Sequence, residues 1–452
     1  MKIVNPIIGS ILFVFATVAA FGIVPDGGSC SCVPDHVIVQ LANASDLGAV
    51  ATQYGLSPTP LSQVASPPIY LLHIANGQTP SQVVTAMTTP PDARIKFAEV
   101  NRELSQVEQP GLAWTQGRSW AIGRSWAIGG SVKGYGRQWF PYRIRLNEAF
   151  AAAGTKGKRV DNNQPVVVAV LDTGIDLTHS AFAGRLVDPA DRWDFVDGDN
   201  DPSEVGVLHV DPAYGHGTHV SGIVALTVPD AKIMPLRVLD RDGSGELWRV
   251  TAALIWAANH GADVANLSFG YPNDVRLLHD LLDCVDAGVT PTGTTFPEIS
   301  THRLAVTVAS GNGGNVTPVF PAAESADGEL SVAASTRYDE MATFSSYSRS
   351  WVDVGAPGVE IVSALPGGRY GMWTGTSMAA PIAAGVTALV KARYTDACLK
   401  PHDILDHIKE TAVRYDWQNL PPWNQDVRLQ RVDALNSVLT PPVCSTPRTG
   451  RR

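Results

Sequence analysis

Strongly apolar runs of six to nine residues alternate with helix-like segments between residues 166 and 392. The runs are VVVAVL, AKIMPLRVL, DVANLSF, RLAVTVAS and ELSVAAS. The helix-like segments include ELWRVTAALIWAANHG and SMAAPIAAGVTALVKA. Strands that are apolar on both faces are typical of a parallel sheet that helices cover on both sides. The sequence therefore predicts an α/β fold with a mainly parallel sheet and helices on both faces.

A smaller α+β unit is predicted before this sheet, at residues 33–108. Its strand-like runs are VIVQLA, IYLLHIA and RIKFAEV, and helices are expected from Ser45 and over SQVVTAM. Residues 109–140 are rich in Gly, Trp and Arg and carry RSWAIG twice in tandem, at 118–123 and 124–129. A repeat this short does not indicate a solenoid. We therefore assign 109–140 to a linker, 141–440 to the main domain and 441–452 to a tail.

Residues 1–20 have the layout of a secretory signal peptide. Lys2 precedes a long apolar run that ends in small residues, so cleavage is expected after Ala20. The alternatives are an uncleaved membrane anchor and lipid attachment at Cys30. A net charge of −9, with no Lys/Arg run, argues against a nucleic-acid partner. We expect a secreted protein, either extracellular or periplasmic.

The chain has five cysteines, an odd number, so export to an oxidising compartment leaves at least one unpaired or intermolecular. A bridge between Cys398 and Cys444 would tie down the C-terminal tail. Cys284 lies in the apolar helical stretch LLHDLLDCV and is expected to be a buried small side chain. No cysteine is assigned a catalytic role.

Three polar residues stand at a strand end or a helix start. Asp172 follows VVVAVL in LDTGID, His216 lies in YGHGTHVSGIVA, and Ser377 begins a helix in YGMWTGTSMAAPIAAG. Each has an ordinary alternative. Asp172 could cap a helix or belong to an aspartic peptidase, although the chain has no second D-T/S-G motif for that class. His216 could bind zinc together with His219, and Ser377 could be a helix cap.

At these three motifs, in the order Asp, His, Ser, the sequence resembles the subtilisin-like serine peptidases (subtilases). The resemblance covers about 141–440 and includes NLSFG, ASGNGG, FPAA, ATFSS and APGVEIVSALPGG. It implies that His216 is the general base for Ser377 and that Asp172 orients the imidazole. It also implies that Asn312, in ASGNGG, donates its amide to the oxyanion beside the N–H groups of a helix start.

The resemblance further implies a cleft in which a protein or peptide substrate binds as an added extended strand. The rims of this cleft would be Gly243, Ser244 and Gly245 on one side and Ser268, Phe269 and Gly270 on the other. The unit at 33–108 resembles the subtilase propeptide. We therefore expect a monomeric proenzyme that processes itself between about 109 and 140 and is inhibited by its own propeptide until it is cut.

No cofactor is expected to be required for peptide-bond hydrolysis, and structural calcium is the one ion that the sequence suggests. Only a few residues join GHGTHVSGIVAL to AKIMPLRVL, where subtilisin carries a calcium loop, so that site is expected to be missing. The acidic run WDFVDGDNDPSE resembles calcium loops of other subtilases, with Asp194, Asp197, Asp199 and Asp201 as the ligands. The alternative is a solvated acidic loop, because the run lacks the spacing of an EF-hand.

The function expected from the sequence is that of a secreted serine endopeptidase. Two alternatives stay open: a catalytically silent subtilase that binds peptides, and a membrane-tethered processing peptidase with narrow targets. The four intact residues Asp172, His216, Asn312 and Ser377 favour an enzyme. The insertion TPTGTTFPEISTH at 290–302 is expected to be a surface loop.

The residue Val319 predicts a shallow first specificity pocket. Many relatives have a glycine at this place on the pocket floor, and the valine side chain would fill part of the space. We expect very large side chains to fit poorly in the position before the cut. Cleavage of a peptide library by the active enzyme measures this preference, and the hypothesis is wrong if Phe or Tyr ranks best.

Overall fold

The computed structural model describes residues 32–64, 68–106, 115–116, 127–128, 131–207, 210–287, 303–414 and 429–445. The predictions for the signal peptide at 1–20, Cys30, most of the RSWAIG repeat and the insertion at 290–302 lie outside these residues. Within them, no helix combines the length and the apolar character that crossing a membrane requires.

Residues 32–106 build an antiparallel sheet with two helices. The strands are β1 (Cys32–Leu41), β2 (Ser62–Val64), β3 (Ile69–His73) and β4 (Ile95–Gln106), and the helices are α1 (Leu47–Tyr54) and α2 (Pro80–Thr88). The strand order is β4-β1-β3-β2. Helix α2 starts with a capping box between Thr79 and Gln82. The predicted strands and helices of this α+β unit are confirmed.

The remaining elements lie in residues 115–445. The strands are β5 (Thr115–Gln116), β6 (Ala127–Ile128), β7 (Val167–Asp172), β8 (Trp193–Asp194), β9 (Lys232–Arg237), β10 (Ser244–Glu246), β11 (Val264–Leu267), β12 (Phe269–Gly270), β13 (Ala305–Ala309), β14 (Glu329–Ser335), β15 (Val354–Pro357), β16 (Ile361–Leu365), β17 (Arg369–Trp373), β18 (Val413–Arg414) and β19 (Gln430–Arg431). The helices are α3 (Val132–Gly136), α4 (Phe140–Arg143), α5 (Leu146–Ala153), α6 (His216–Thr227), α7 (Leu247–Asn259), α8 (Arg276–Ala287), α9 (Thr376–Arg393), α10 (Pro401–Thr411) and α11 (Ala434–Leu439).

In the part of the chain that the structure describes, nine strands form the central sheet, in the order β18-β19-β15-β14-β13-β11-β7-β9-β8. Neighbouring strands are parallel except β18 and β19. Alternate residues of β7 enter two different cores. Val168 and Val170 pack with α6 and α9, whereas Ala169 and Leu171 pack with α7 and α8. Helices therefore cover both faces, which confirms the predicted α/β fold.

The N-terminal sheet also has two buried faces. Val37 and Leu72 pack in a core with α1 and α2. Ile38, Leu71 and Phe97 belong instead to the core that contains α7 and α8. The unit therefore lies with one face of its sheet against the main domain, and β4 extends beyond that face to pair with β10 and β12.

The main domain begins earlier than the sequence predicts. Residues 131–140, which we assigned to the linker, form α3 and the start of α4. The Tyr135 hydroxyl donates to the Gly222 carbonyl at 2.6 Å, and Phe140 is fully buried in the core with α6 and α9. The sequence does not indicate this packing, because single aromatic residues among glycines and arginines give no periodic pattern, and their partners lie far along the chain.

The C-terminal end is tied to the main domain by a disulfide. Cys398 and Cys444 are bonded, with Cα atoms 5.7 Å apart, as predicted. The ring of His402 adds a second tie, because its Nε2 lies 2.8 Å from the Ser445 hydroxyl. Cys284 is fully buried in α8, which confirms its expected place.

Replacement of Phe140 tests whether residues 131–140 belong to the folded domain. Phe140→Ala should lower the free energy of unfolding by about 3–5 kcal/mol, because it leaves a cavity in a core that cannot fully collapse. Denaturant unfolding of the variant in a Ser377→Ala background measures the loss. Tyr142→Ala is the matched control, since Tyr142 is 67% exposed and its loss should cost within about 0.5 kcal/mol. Equal effects of the two changes would contradict the new boundary.

Candidate active site

The carboxylate of Asp172 and the imidazole of His216 form a buried hydrogen bond. Asp172 is the last residue of β7 and His216 is the first of α6. His216 Nδ1 lies 2.7 Å from Asp172 Oδ1, and the two side chains are 0% and 1% exposed. The N–H of Thr173 also donates to Oδ1, at 2.8 Å. With Nδ1 facing a carboxylate, the ring carries its proton on Nδ1 and leaves Nε2 as the basic nitrogen.

Ser377 lies in the first turn of α9 and is fully buried. Its hydroxyl donates to the carbonyl of Ser268 at 3.1 Å, and the Ser268 hydroxyl donates back to the Ser377 carbonyl at 3.1 Å. The backbone N–H groups of a first helical turn have no intrahelical acceptors, and the helix dipole makes this end positive. The position of Ser377 therefore suits an oxygen that gains negative charge.

Asn312 follows β13 and is held by Thr376, the residue before Ser377. Asn312 Oδ1 accepts from the Thr376 N–H at 2.9 Å and from its hydroxyl at 3.0 Å. Because the amide oxygen is engaged in this way, the amide nitrogen is turned away from Thr376. Sequence reasoning named Asn312 and missed Thr376, although it stands in the same GTS motif.

A chain of buried polar groups continues beneath Ser268. Asn266 Nδ2 donates to the Ser268 hydroxyl at 2.9 Å, and the Thr307 hydroxyl donates to Asn266 Oδ1 at 3.3 Å. All three side chains are fully buried. Sequence reasoning missed Asn266 and Thr307, and the available signal was a polar residue inside the otherwise apolar strands DVANLSF and RLAVTVAS.

The second histidine of the motif, His219, has a different environment from His216. Its ring stacks on Trp373 with centroids 4.3 Å apart, and its Nε2 lies 3.3 Å from the Gly371 carbonyl. Burial lowers the pKa of His219 to about 3, so the ring is neutral near pH 7. The ring nitrogens of the two histidines thus have different partners, and the zinc alternative gains no support from this geometry.

The predicted rims lie on either side of β4. Ser244 and Gly245 pair with Ser105 and Leu104, and on the other side Phe269 pairs with Gln106. Gly270 likewise pairs with Ser105, and Gly243 lies in the turn before β10. Both pairings are antiparallel. The structure therefore places an extended segment of this chain between the two rims.

Val319 lies close to the Asn312 loop. Its side chain packs against Gly311, the residue before Asn312. Val319 is half-buried, and its carbonyl accepts from the Ala323 N–H at 2.9 Å. This is the place where the sequence predicts the floor of the first pocket, and the preference itself stays a prediction.

The four aspartates of the calcium hypothesis do not converge on one point. Asp194 Oδ2 and Asp197 Oδ2 lie 2.6 and 2.5 Å from Arg237 Nη1. Asp199 and Asp201 accept from nearby backbone N–H groups in turns. Within the described residues, three ligand atoms approach within 4.8 Å at Asp396, Cys398 and Cys444, where both sulfurs are bonded in the disulfide. The cation in contact with Asp194 and Asp197 is therefore the guanidinium of Arg237.

Comparisons with known proteins agree with this geometry. A sequence model described as the subtilase family matches residues 163–436. The thermophilic serine proteinase of Bacillus sp. (strain AK1) is 37% identical over 236 residues, which are 50% of this chain and 52% of that protein. Thermitase of Thermoactinomyces vulgaris is 33% identical over 271 residues, which are 58% of this chain and 84% of thermitase.

Among solved structures, fervidolysin from Fervidobacterium pennivorans, described as a keratinolytic enzyme related to subtilisin, matches with a TM-score of 0.67 at 24% identity. The match covers 93% of this chain and 63% of that one, and at this identity it concerns the fold alone. The chain spans about half the length of the AK1 proteinase. The family match covers more than half of the chain and contains Asp172, His216 and Ser377. The chain belongs to the subtilase family of serine peptidases.

Proposed function

We propose that this protein is a secreted serine endopeptidase that uses Asp172, His216 and Ser377 as its catalytic triad. The observation that carries the proposal is the buried 2.7 Å hydrogen bond between Asp172 and His216. It fixes the tautomer in which Nε2 accepts the proton of Ser377 as the hydroxyl attacks a peptide carbonyl. The carboxylate then stabilises the imidazolium, which returns the proton to the leaving amine.

Asn312 is proposed to stabilise the oxyanion together with the N–H groups at the start of α9. Its orientation supports this role, because Oδ1 is held by Thr376 and the donating nitrogen faces the other way. Water then attacks the acyl-enzyme, with His216 again taking and returning the proton. Every step uses side chains and backbone groups of this chain.

The N-terminal unit is proposed to inhibit the enzyme as its propeptide. Apart from the pairing of β4 with the two rims, it contacts the start of two helices. Glu99 accepts from the N–H groups of Arg276 and Leu277, at 2.9 and 3.2 Å, and Asn101 Oδ1 accepts from the Trp248 N–H at 3.2 Å. These contacts satisfy N–H groups that have no acceptor within α7 and α8. Substrates are proposed to bind between the same rims as a strand.

The pairing register also bears on where the proenzyme is cut. Gln106 pairs with Phe269. The residue before Phe269 is Ser268, whose carbonyl accepts a hydrogen bond from the Ser377 hydroxyl. The end of β4 at Gln106 is therefore paired with the residue next to the one that contacts Ser377. We accordingly place the cut in the first few residues after Gln106, at or just before the start of the range 109–140 that the sequence indicated.

Active-site labelling separates an enzyme from a catalytically silent subtilase. A fluorophosphonate should label Ser377 in the wild-type protein, and mass spectrometry should find a mature N-terminus shortly after Gln106. Ser377→Ala should stay full length and unlabelled, because it lacks the nucleophile. Ser350→Ala, a change at an exposed serine, is the control and should behave as wild type. An unlabelled wild-type protein would favour the silent alternative, and fractionation with membranes would favour the tethered one.

Removal of the Asn312 amide should lower kcat far more than it raises KM. We expect Asn312→Ala to reduce kcat about 100- to 1000-fold, because the donor acts on charge that develops in the transition state. Steady-state kinetics on a peptide substrate measure this change. Asn315→Ala is the matched control, since Asn315 is exposed on the same loop. Similar kcat values for the two variants would remove Asn312 from the oxyanion site.

A further inference from the structure

Glu204 stands at the end of the acidic run and turns its carboxylate inward. Oε1 accepts from the Thr173 hydroxyl at 3.0 Å and from the Thr218 N–H at 3.0 Å. Oε2 accepts from the Gly215 N–H at 3.1 Å. Sequence reasoning assigned Glu204 no role, because none of these partners is close in the sequence.

One side of this contact is the end of β7. Thr173 directly follows Asp172, and its backbone N–H donates to Asp172 Oδ1. The Thr173 hydroxyl donates to Glu204 and accepts in turn from the Gly217 N–H at 2.9 Å. The orientation of the Thr173 side chain is therefore fixed from both sides.

The other side of the contact is the start of α6. Gly215 directly precedes His216, and Thr218 lies in the first turn that His216 begins. Their N–H groups are among those without an intrahelical acceptor, and Glu204 supplies one. A single carboxylate thus joins the strand end that carries Asp172 to the helix start that carries His216.

Hydrogen-bond donors face the Glu204 carboxylate. Each of the three groups above donates to it, and the start of a helix favours an anion. Burial raises the pKa of Glu204, and the charge of Asp172 raises it further, whereas the N–H donors of Thr218 and Gly215 lower it. The Glu204 and Asp172 carboxylates therefore lie close enough to interact, next to the helix start that carries His216.

We propose that Glu204 is a positioning residue of the active site, which locks Asp172 and His216 in register and whose negative charge favours the protonated imidazole during turnover. This inference rests on the proposed function, and it concerns the one carboxylate of the acidic run that reaches both elements of the pair.

The other titratable groups near Glu204 keep their protonation state in the test described below. Burial raises the pKa of Tyr214, and the charge of Glu204 also raises it, while Arg369 lowers it and Asp176 raises it. Tyr214 is therefore neutral at the pH of the assay. Burial keeps His219 neutral as well. Asp172 is unchanged in every variant, so a shift in the pH profile reports the charge at residue 204.

The test compares Glu204→Gln, Glu204→Asp and Glu148→Gln with the wild type. Glu204→Gln should lower kcat about 10- to 100-fold, because its NH2 group faces backbone donors and the pair loses its register. The acid limb of kcat/KM should also move to lower pH by roughly half a unit, because the loss of a nearby anion disfavours imidazolium. Glu148→Gln removes the same charge from an exposed residue of α5 and should change neither quantity.

Glu204→Asp keeps the charge on a shorter side chain. It should retain the wild-type midpoint of the acid limb of kcat/KM and recover part of the lost kcat. A purely structural role of Glu204 does not predict that this midpoint follows the charge. If Glu204→Gln fails to fold, a wild-type midpoint in Glu204→Asp supports the inference and a shifted one overturns it. Wild-type kinetics in a folded Glu204→Gln also overturn it. A wild-type protein without peptidase activity would instead contradict the proposed function.

Discussion

The hydrogen bond between Asp172 and His216 is the contact on which the rest of the site depends. A buried carboxylate loses several kcal/mol of hydration, and only a fixed geometry with additional donors offsets this cost. The parallel sheet provides that geometry. The Asp172 carbonyl accepts from the N–H groups of Val238 and Leu239, at 2.9 and 3.1 Å, so the end of β7 cannot shift relative to the chain that follows β9.

Ser377, the proposed nucleophile, is placed by a helix–helix contact rather than by the sheet alone. His216 begins α6 and Ser377 begins α9, and these helices pack against each other. At Gly385 of α9, an added Cβ would lie 2.5 Å from the Thr227 side chain. At Gly222 of α6, an added Cβ would lie 2.2 Å from the Ser363 hydroxyl. The absence of a side chain at Gly385 lets α9 lie close to α6, and the absence of one at Gly222 lets α6 lie close to β16.

The sequence predicted the parts of the structure that depend on local pattern. The apolar runs identified the central strands, since their two faces enter two cores, and the resemblance of the motifs at the strand ends named Asp172 and Asn312. The sequence did not predict contacts that join segments far apart along the chain. The role of Glu204 depends on partners 31 and 14 residues away, and Phe140 looked like part of a linker because its partners lie in α6 and α9. The charge on Asp194 suggested calcium because the sequence could not place Arg237 beside it.

The N-terminal unit has three kinds of contact with the main domain, and residues up to Gln106 make all of them. Strand β4 pairs with both rims, Glu99 and Asn101 satisfy helix N–H groups, and residues such as Ile38 and Phe97 share the core of α7 and α8. The proposed cut after Gln106 would remove the covalent link and its high effective concentration, but it would leave all three kinds of contact in place. In the proposed proenzyme, cleavage and release are therefore separate steps. The cleft between β10 and β12 would open to a substrate only when the strand pairing, the helix contacts and the apolar packing are lost together.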